Sequence, residues 1–180
     1  SATSSLAAVG ILYFGIARDF PVFMPLAAIG GAVVATLFIG AVAIGTSSSV
    51  SLILVGAALS SFAGALMSLL MSTAQDLYSL SDMVDWMMGS VSNRSFDDLL
   101  LSGPFVAAGA LLLLTQARGL SVLSLGEEAA HGAGLDLKRT RLLVTLGAGL
   151  AVGGAVSIAG IIGFVGIVAP HIVRPWVRHD

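Results

Sequence analysis

Long apolar runs broken by short polar intervals set the pattern of this chain. Pro25–Ile44, Val50–Ser72, Leu99–Thr115 and Leu142–Ile158 contain no Asp, Glu, His, Lys or Arg. A helix of about 20 apolar residues crosses a hydrocarbon core of about 30 Å, and in lipid a helix satisfies every backbone N–H and C=O within its own segment. Each run therefore predicts a membrane-crossing helix. Ser5–Ile16 is as apolar but spans only about 18 Å at 1.5 Å per residue. It is the end of a longer span or a half-length helix packed inside the protein. Arg18-Asp19-Phe20-Pro21 and Gly45–Ser49 read as turns, and Gly103-Pro104 as an interruption of its span.

Two features inside the runs concern packing. Gly56, Ser60, Gly64 and Ser68 recur every four residues and predict a stripe for close helix approach, with lining of a pathway as the other reading. Gly149 and Gly153 form a second such face. Gly160, Gly163 and Gly166 stand at every third position and predict a bend from the last span into another short helix, which closes at Pro170-His171 and Arg174-Pro175.

Two polar intervals break the apolar pattern. Thr73–Asp98 carries Asp76, Asp82, Asp85, Arg94, Asp97 and Asp98 around a short amphipathic piece, Met83–Ser90. There Trp86, Met87 and Met88 read first as interfacial anchors and second as soft side chains facing a bulky substrate. The other interval, Leu125–Arg141, is an island with six charged residues in seventeen. Gly126 can break the incoming helix, and Glu127 and Glu128 fall in a first turn, where the helix dipole favours acids. Gly132 or Gly134 can end that helix before Lys138, Arg139 and Arg141 open the next span. Its small residues suit a helix–turn–helix that another backbone can approach closely. An ordinary loop held by its positive charge and a docking surface for a soluble partner are both consistent with it.

Composition agrees. The 180 residues are 57% hydrophobic and 10% charged, against about 45–50% and 25% in soluble domains. Mean hydropathy is +1.01. The chain reads as an all-α, polytopic helical membrane protein, and as a piece of a longer one. Cysteine is absent, which removes disulfides, thiol nucleophiles and Cys-based metal sites. With the island in the cytoplasm, alternating spans place Arg118, Lys138, Arg139 and Arg141 inside and Arg18 and Arg94 outside; if the short terminal helix re-crosses, Arg174 and Arg178 make six of eight basic residues inside, as positive-inside bias expects.

The island with its flanks, GLSVLSLGEEAAHGAGLDLKRTR, closely resembles the cytoplasmic coupling segment of permease subunits of the iron-siderophore, haem and vitamin B12 importers of the ABC transporter superfamily. AGIIGFVGIVAPHIVR resembles that family's signature after the coupling segment. DWMMGS resembles its short pore helix, LILVGAALSS the span before that helix, and SATSSLAAVG the opening of its short third helix. The resemblance implies one transmembrane permease domain over residues 1–180, incomplete at both ends relative to a ten-helix protein, with a coupling segment at 119–141. His131 and Ala133 depart from the usual family residues. By this resemblance Gly126, Glu127, Glu128, Ala129, Ala130, Gly132, Gly134 and Leu135 would pack into a cleft on a partner ATPase. Ser47, Ser48 and Ser49 would belong to a cytoplasmic gate. Trp86, Met87, Met88 and Gly89 would flank the pathway, and Gly160, Gly163, Gly166, Pro170 and His171 would shape the broken helix near the pore.

The implied function is half of a homodimeric import pore in the bacterial inner membrane, with an iron chelate ahead of haem and cobalamin as cargo. It implies a cytoplasmic ATP-binding subunit, an extracytoplasmic substrate-binding protein, and no cofactor, metal or catalytic residue in the chain itself. No G-x-x-x-x-G-K-[ST] phosphate loop occurs. An intramembrane enzyme would need ionisable groups facing the bundle interior, and an ion-coupled secondary transporter a buried carboxylate or broken-helix ion site. The uncharged spans disfavour the first, and only the Gly160–Gly166 break supports the second.

Overall fold

A computed structural model describes residues 2–19, 22–45, 49–74, 76–92 and 94–175. Ten helices form among them: α1 Ala2–Tyr13, α2 Ile16–Asp19, α3 Phe23–Gly45, α4 Ser49–Ser72, α5 Leu77–Met88, α6 Phe96–Thr115, α7 Ala117–Leu123, α8 Glu127–Gly132, α9 Leu137–Ala159 and α10 Val165–Val173. The all-α class holds. Four of them, α3, α4, α6 and α9, are long and apolar enough to cross a membrane. Their outward side chains are apolar: Phe38 is 54% exposed, Ile53 70%, Phe62 62% and Leu111 63%. Large hydrophobics exposed along whole helices suit a surface solvated by lipid.

Helix α9 holds the bundle together. One of its faces meets α3 and another meets α6, with both neighbours antiparallel to it. Gly153 lies on Ala32, Gly149 on Thr36, and Gly40 on Leu142. On the second face a Cβ at Gly147 would come 3.0 Å from Leu113 Cγ, and one at Gly154 would come 3.2 Å from the Ser102 carbonyl oxygen. Gly109 of α6 lies on the Gly147 carbonyl and the Ala151 backbone. Lipid tails are as apolar as Leu, so burying apolar area gives helices little reason to associate. Close backbone approach over small residues is what holds them.

The small-residue faces are only partly where the sequence placed them. The Gly149/Gly153 face packs as expected, and Gly147, Gly154 and Gly109 make a second one. The Gly56/Ser60/Gly64/Ser68 stripe does not serve close packing among the described residues. Gly56 and Gly64 have no atom within 4 Å of a would-be Cβ, and Ser60 and Ser68 are exposed. The buried face of α4 is instead Ala63 and Met67, set against α1. Gly64→Leu is therefore expected to cost the isolated monomer no stability, since no neighbouring atom opposes the side chain and leucine is the better helix former. A lowered melting midpoint in the detergent-solubilised monomer would contradict this packing.

Helix α1, as far as it is described, packs inside the bundle and does not face lipid along its length. It docks in the half of the bundle near α5, where Ala8, Val9 and Leu12 form a core with Ala28, Met67, Met83 and Trp86. Gly31 makes room for it, because a Cβ there would sit 2.5 Å from the Thr3 carbonyl oxygen. Trp86 is 6% exposed and Met83 fully buried, so Trp86 is a core residue and not an interfacial anchor. The amphipathic piece is also longer than Met83–Ser90. It begins at Leu77, because the Asp76 carboxylate accepts from the Ser79 amide at 2.7 Å and caps the helix.

Pro104 does not interrupt its span. Helix α6 continues through it and starts at Phe96, three residues before the apolar run. Proline deprives the Leu100 carbonyl of its usual partner, a loss membrane helices tolerate when local adjustment compensates. The early start comes from a capping box: Ser95 Oγ accepts from the Asp98 amide at 3.2 Å, and Asp98 Oδ2 accepts from the Ser95 amide at 2.9 Å. Ser95→Ala is expected to destabilise by about 1 kcal/mol, read as a lowered melting midpoint in detergent. No change would mean the cap is not stabilising.

The expected bend after α9 is present. Gly160 ends α9 at φ +68°, and α10 follows a short irregular link in which Phe164 is left-handed at φ +62°. Pro170 lies inside α10, and no residue of α10 is buried.

Candidate functional site

The island folds as a helical hairpin at the bundle end where α6 finishes and α9 starts. Gly119 of α7 lies against the Thr140 and Leu135 side chains, where a Cβ would come 3.3 Å from Thr140 Cγ2. The chain then turns at Gly126, whose φ of +107° and ψ of +154° suit glycine almost alone. Helix α8 opens with Glu127 and Glu128 in its first turn. It closes in a Schellman motif at Gly134, φ +79°: the Leu135 amide donates to the Ala130 carbonyl at 3.0 Å and the Gly134 amide to the His131 carbonyl at 3.0 Å. Asp136 caps α9 by accepting from the Arg139 amide at 3.1 Å.

One ion pair ties α8 to α9. Glu127 Oε1 lies 2.7 Å from Arg141 Nη2, and the Arg141 side chain is 5% exposed. A buried charge with a charged partner is costly to separate. Nothing in the sequence singled out this pair. Glu127 and Arg141 lie fourteen positions apart on two helices joined by a turn, so no helical spacing relates them.

The eight island residues come together, with different roles for their side chains. Glu128, Ala129, Gly132 and Gly134 are exposed, Glu127 and Leu135 are half-buried, and Ala130 is completely buried. Ala130 belongs to the inside of the hairpin. The exposed face is Glu128-Ala129 with Gly132, beside a groove lined by His131, Leu135, Lys138 and Arg141.

The pore set is not one site. Ser47 and Ser48 lie outside the described residues, and Ser49 begins α4 near the island end. Trp86, Met87, Met88 and Gly89 sit at the opposite end with Gly160. There the Ser90 amide donates to the Ala159 carbonyl at 2.7 Å. A Cβ on Gly89 would lie 2.5 Å from the Ile161 carbonyl oxygen, and one on Gly160 would strike the Trp86 carbonyl. Met87 packs on the core, while Met88 is 74% exposed. Gly163, Gly166, Pro170 and His171 are exposed, and no atom lies within 4 Å of a Cβ at either of these two glycines. Beside the Gly89–Gly160 junction is a cavity of about 380 Å³ bordered by Leu12, Met24, Asp82, Asp85 and Arg94. The Arg94 guanidinium stands 6.0 Å from the Trp86 ring centre. Among the described residues no group of three or more His, Asp or Glu could hold a metal ion.

Comparison with known proteins gives concordant matches. The model of the FecCD transport family matches residues 1–180. An uncharacterised ABC transporter permease protein of Bacillus subtilis, YvrB, is 34% identical, over 97% of this chain and 50% of its own. The cobalamin import system permease protein BtuC of Halobacterium salinarum is 36% identical, over 86% of this chain and 42% of its own. The hemin transport system permease protein HmuU of Yersinia pestis is 32% identical, over 79% and 46%. The chain thus spans about half the length of the curated relatives it matches. A solved structure described as an inward-facing conformation of a metal-chelate type ABC transporter superposes with a TM-score of 0.85 at 28% identity, covering 98% of this chain and 56% of that one.

Proposed function

This chain belongs to the FecCD transport family, and from that premise we propose that it is part of the membrane-spanning subunit of an ATP-driven importer. Residues 1–180 form one transmembrane permease unit in the bacterial inner membrane, with 119–141 as its cytoplasmic coupling segment. Two copies enclose a pore for an iron chelate, haem or cobalamin. A separate cytoplasmic subunit binds and hydrolyses ATP, and an extracytoplasmic binding protein delivers cargo to the α5 end.

One observation carries the reading: α8 presents an exposed face of small residues while being held to a bundle helix by a 2.7 Å ion pair. An ordinary loop needs no such fixation. A lever does, because a partner's displacement reaches the spans only through a body that does not yield. Gly126 to Leu135 are the docking surface, with Ala130 supporting it from inside. Ser47 to Ser49 serve the inner gate and Trp86 to Gly89 with Gly160 the outer pathway, while Gly163, Gly166, Pro170 and His171 shape the segment beyond it. The uncharged interiors of the spans give no support to an ion-coupled transporter or an intramembrane enzyme.

Reconstituting the full-length permease with the ATP-binding subunit from the same genome tests this. ATP-dependent uptake of a labelled ferric chelate, haem or cobalamin into vesicles is the expected result. Uptake driven by an ion gradient without ATP would refute it.

A further inference from the structure

We propose that α9 is a strut clamped at both ends, by Glu127–Arg141 at the island and by the Gly89–Gly160 contact at the far end, so that displacement of α8 is delivered to α5. The proposal rests on the coupling reading above and adds the route within the permease.

The route is continuous. At the island end, Arg141 is held at 5% exposure by Glu127, one turn into α9. Thr140 beside it is 4% exposed and packs on Gly119 of α7. The Schellman closure at Gly134 and the Asp136 cap leave little slack between α8 and α9. From there α9 runs 23 residues, about 35 Å, without an internal proline. At the far end the contact is backbone on backbone. Gly89 and Gly160 both have positive φ, each would meet a carbonyl oxygen if it carried a Cβ, and Ser90 donates to Ala159. Contacts between main chains, without flexible side chains between them, transmit a shift with little loss. Helix α5 is itself a defined body: Asp76 caps its start, and Met83 and Trp86 bury one face of it against α1.

The test uses the full-length permease bound to its ATP-binding subunit. Residues 1–180 contain no cysteine, so spin labels at Tyr78→Cys on α5 and Phe96→Cys on α6, both highly exposed, report their separation once any thiol elsewhere is removed. The separation is expected to change when a non-hydrolysable ATP analogue is added. Glu127→Gln and Gly160→Ala are each expected to abolish at least about half of that change, read only on complexes isolated with the ATP-binding subunit bound and against each variant's own nucleotide-free separation. Glu127→Arg with Arg141→Glu is expected to restore it where each single reversal does not, which assigns the effect to the pair; a merely structural role would move the melting midpoint and leave the nucleotide-dependent change in folded Glu127→Gln complexes at full size. Glu127→Gln keeps the test sound if Gly160→Ala fails to fold, since the Glu127 side chain is 40% exposed. A full-sized change in both variants overturns the strut, as does a complex that transports cargo with no change in the unsubstituted protein. Failure to bind any ATP-binding subunit removes the coupling reading, and the strut with it.

Discussion

Gly153→Leu is expected to separate α3 from α9 and produce a large loss of stability. A Cβ at Gly153 would overlap Ala32, one helical turn from the Gly149–Thr36 contact. Neither neighbour has a flexible end to move aside: Ala32 is a methyl group, and Thr36 is 8% exposed. The helices must therefore part, and the contacts along their length weaken together. Overpacking a dense interior costs about 1–3 kcal/mol, occasionally more, and this site belongs at the upper end. Thermal melting of the detergent-solubilised protein reads it, with Gly64→Leu, in open space, as the control. Equal melting of the two variants would contradict the assignment of α9 as the central helix.

Ala129→Trp is expected to abolish coupled transport while leaving the permease folded and inserted. Ala129 is exposed on α8, so nothing in this chain resists the indole. A partner surface shaped for a methyl group would. Loss of a central interface contact costs about 2 kcal/mol or more, about thirty-fold in affinity, and an inserted ring adds steric conflict. Glu128→Arg probes the same face by charge. Glu127→Arg is a poor substitute, because it sets two cations together at Arg141 and disturbs the hairpin itself. Ala130→Trp would fail for the same kind of reason, since Ala130 is fully buried. The readouts are co-purification with the ATP-binding subunit and ATP-dependent uptake. Normal uptake by Ala129→Trp would remove α8 from the docking surface.

Features set by local chemistry were legible in the sequence. Span lengths follow from uninterrupted apolar runs, and the hairpin follows from Gly126, the first-turn acids and the glycines after His131. What misled was mostly tertiary. The four-residue spacing of Gly56, Ser60, Gly64 and Ser68 matches that of Gly149 and Gly153, yet only the second meets a helix, because spacing defines a face and not its neighbour. Trp86 is of a residue type common at membrane edges, but α1 comes between α3, α4 and α5 and buries it. The Glu127–Arg141 pair and the Gly89–Gly160 contact are separated by fourteen and seventy-one positions, and only the fold brings each together. Pro104 was over-read: lipid favours a continuous helix strongly enough to absorb one missing hydrogen bond.

The most direct test of the central claim is site-specific photocrosslinking from the full-length permease in native membranes. A photoreactive side chain at Ala129 or Glu128 is expected to capture the ATP-binding subunit, whereas one at Asp97, exposed at the opposite end of the bundle, is expected not to. Capture from Asp97, or none from α8 in a membrane that imports cargo, would contradict it.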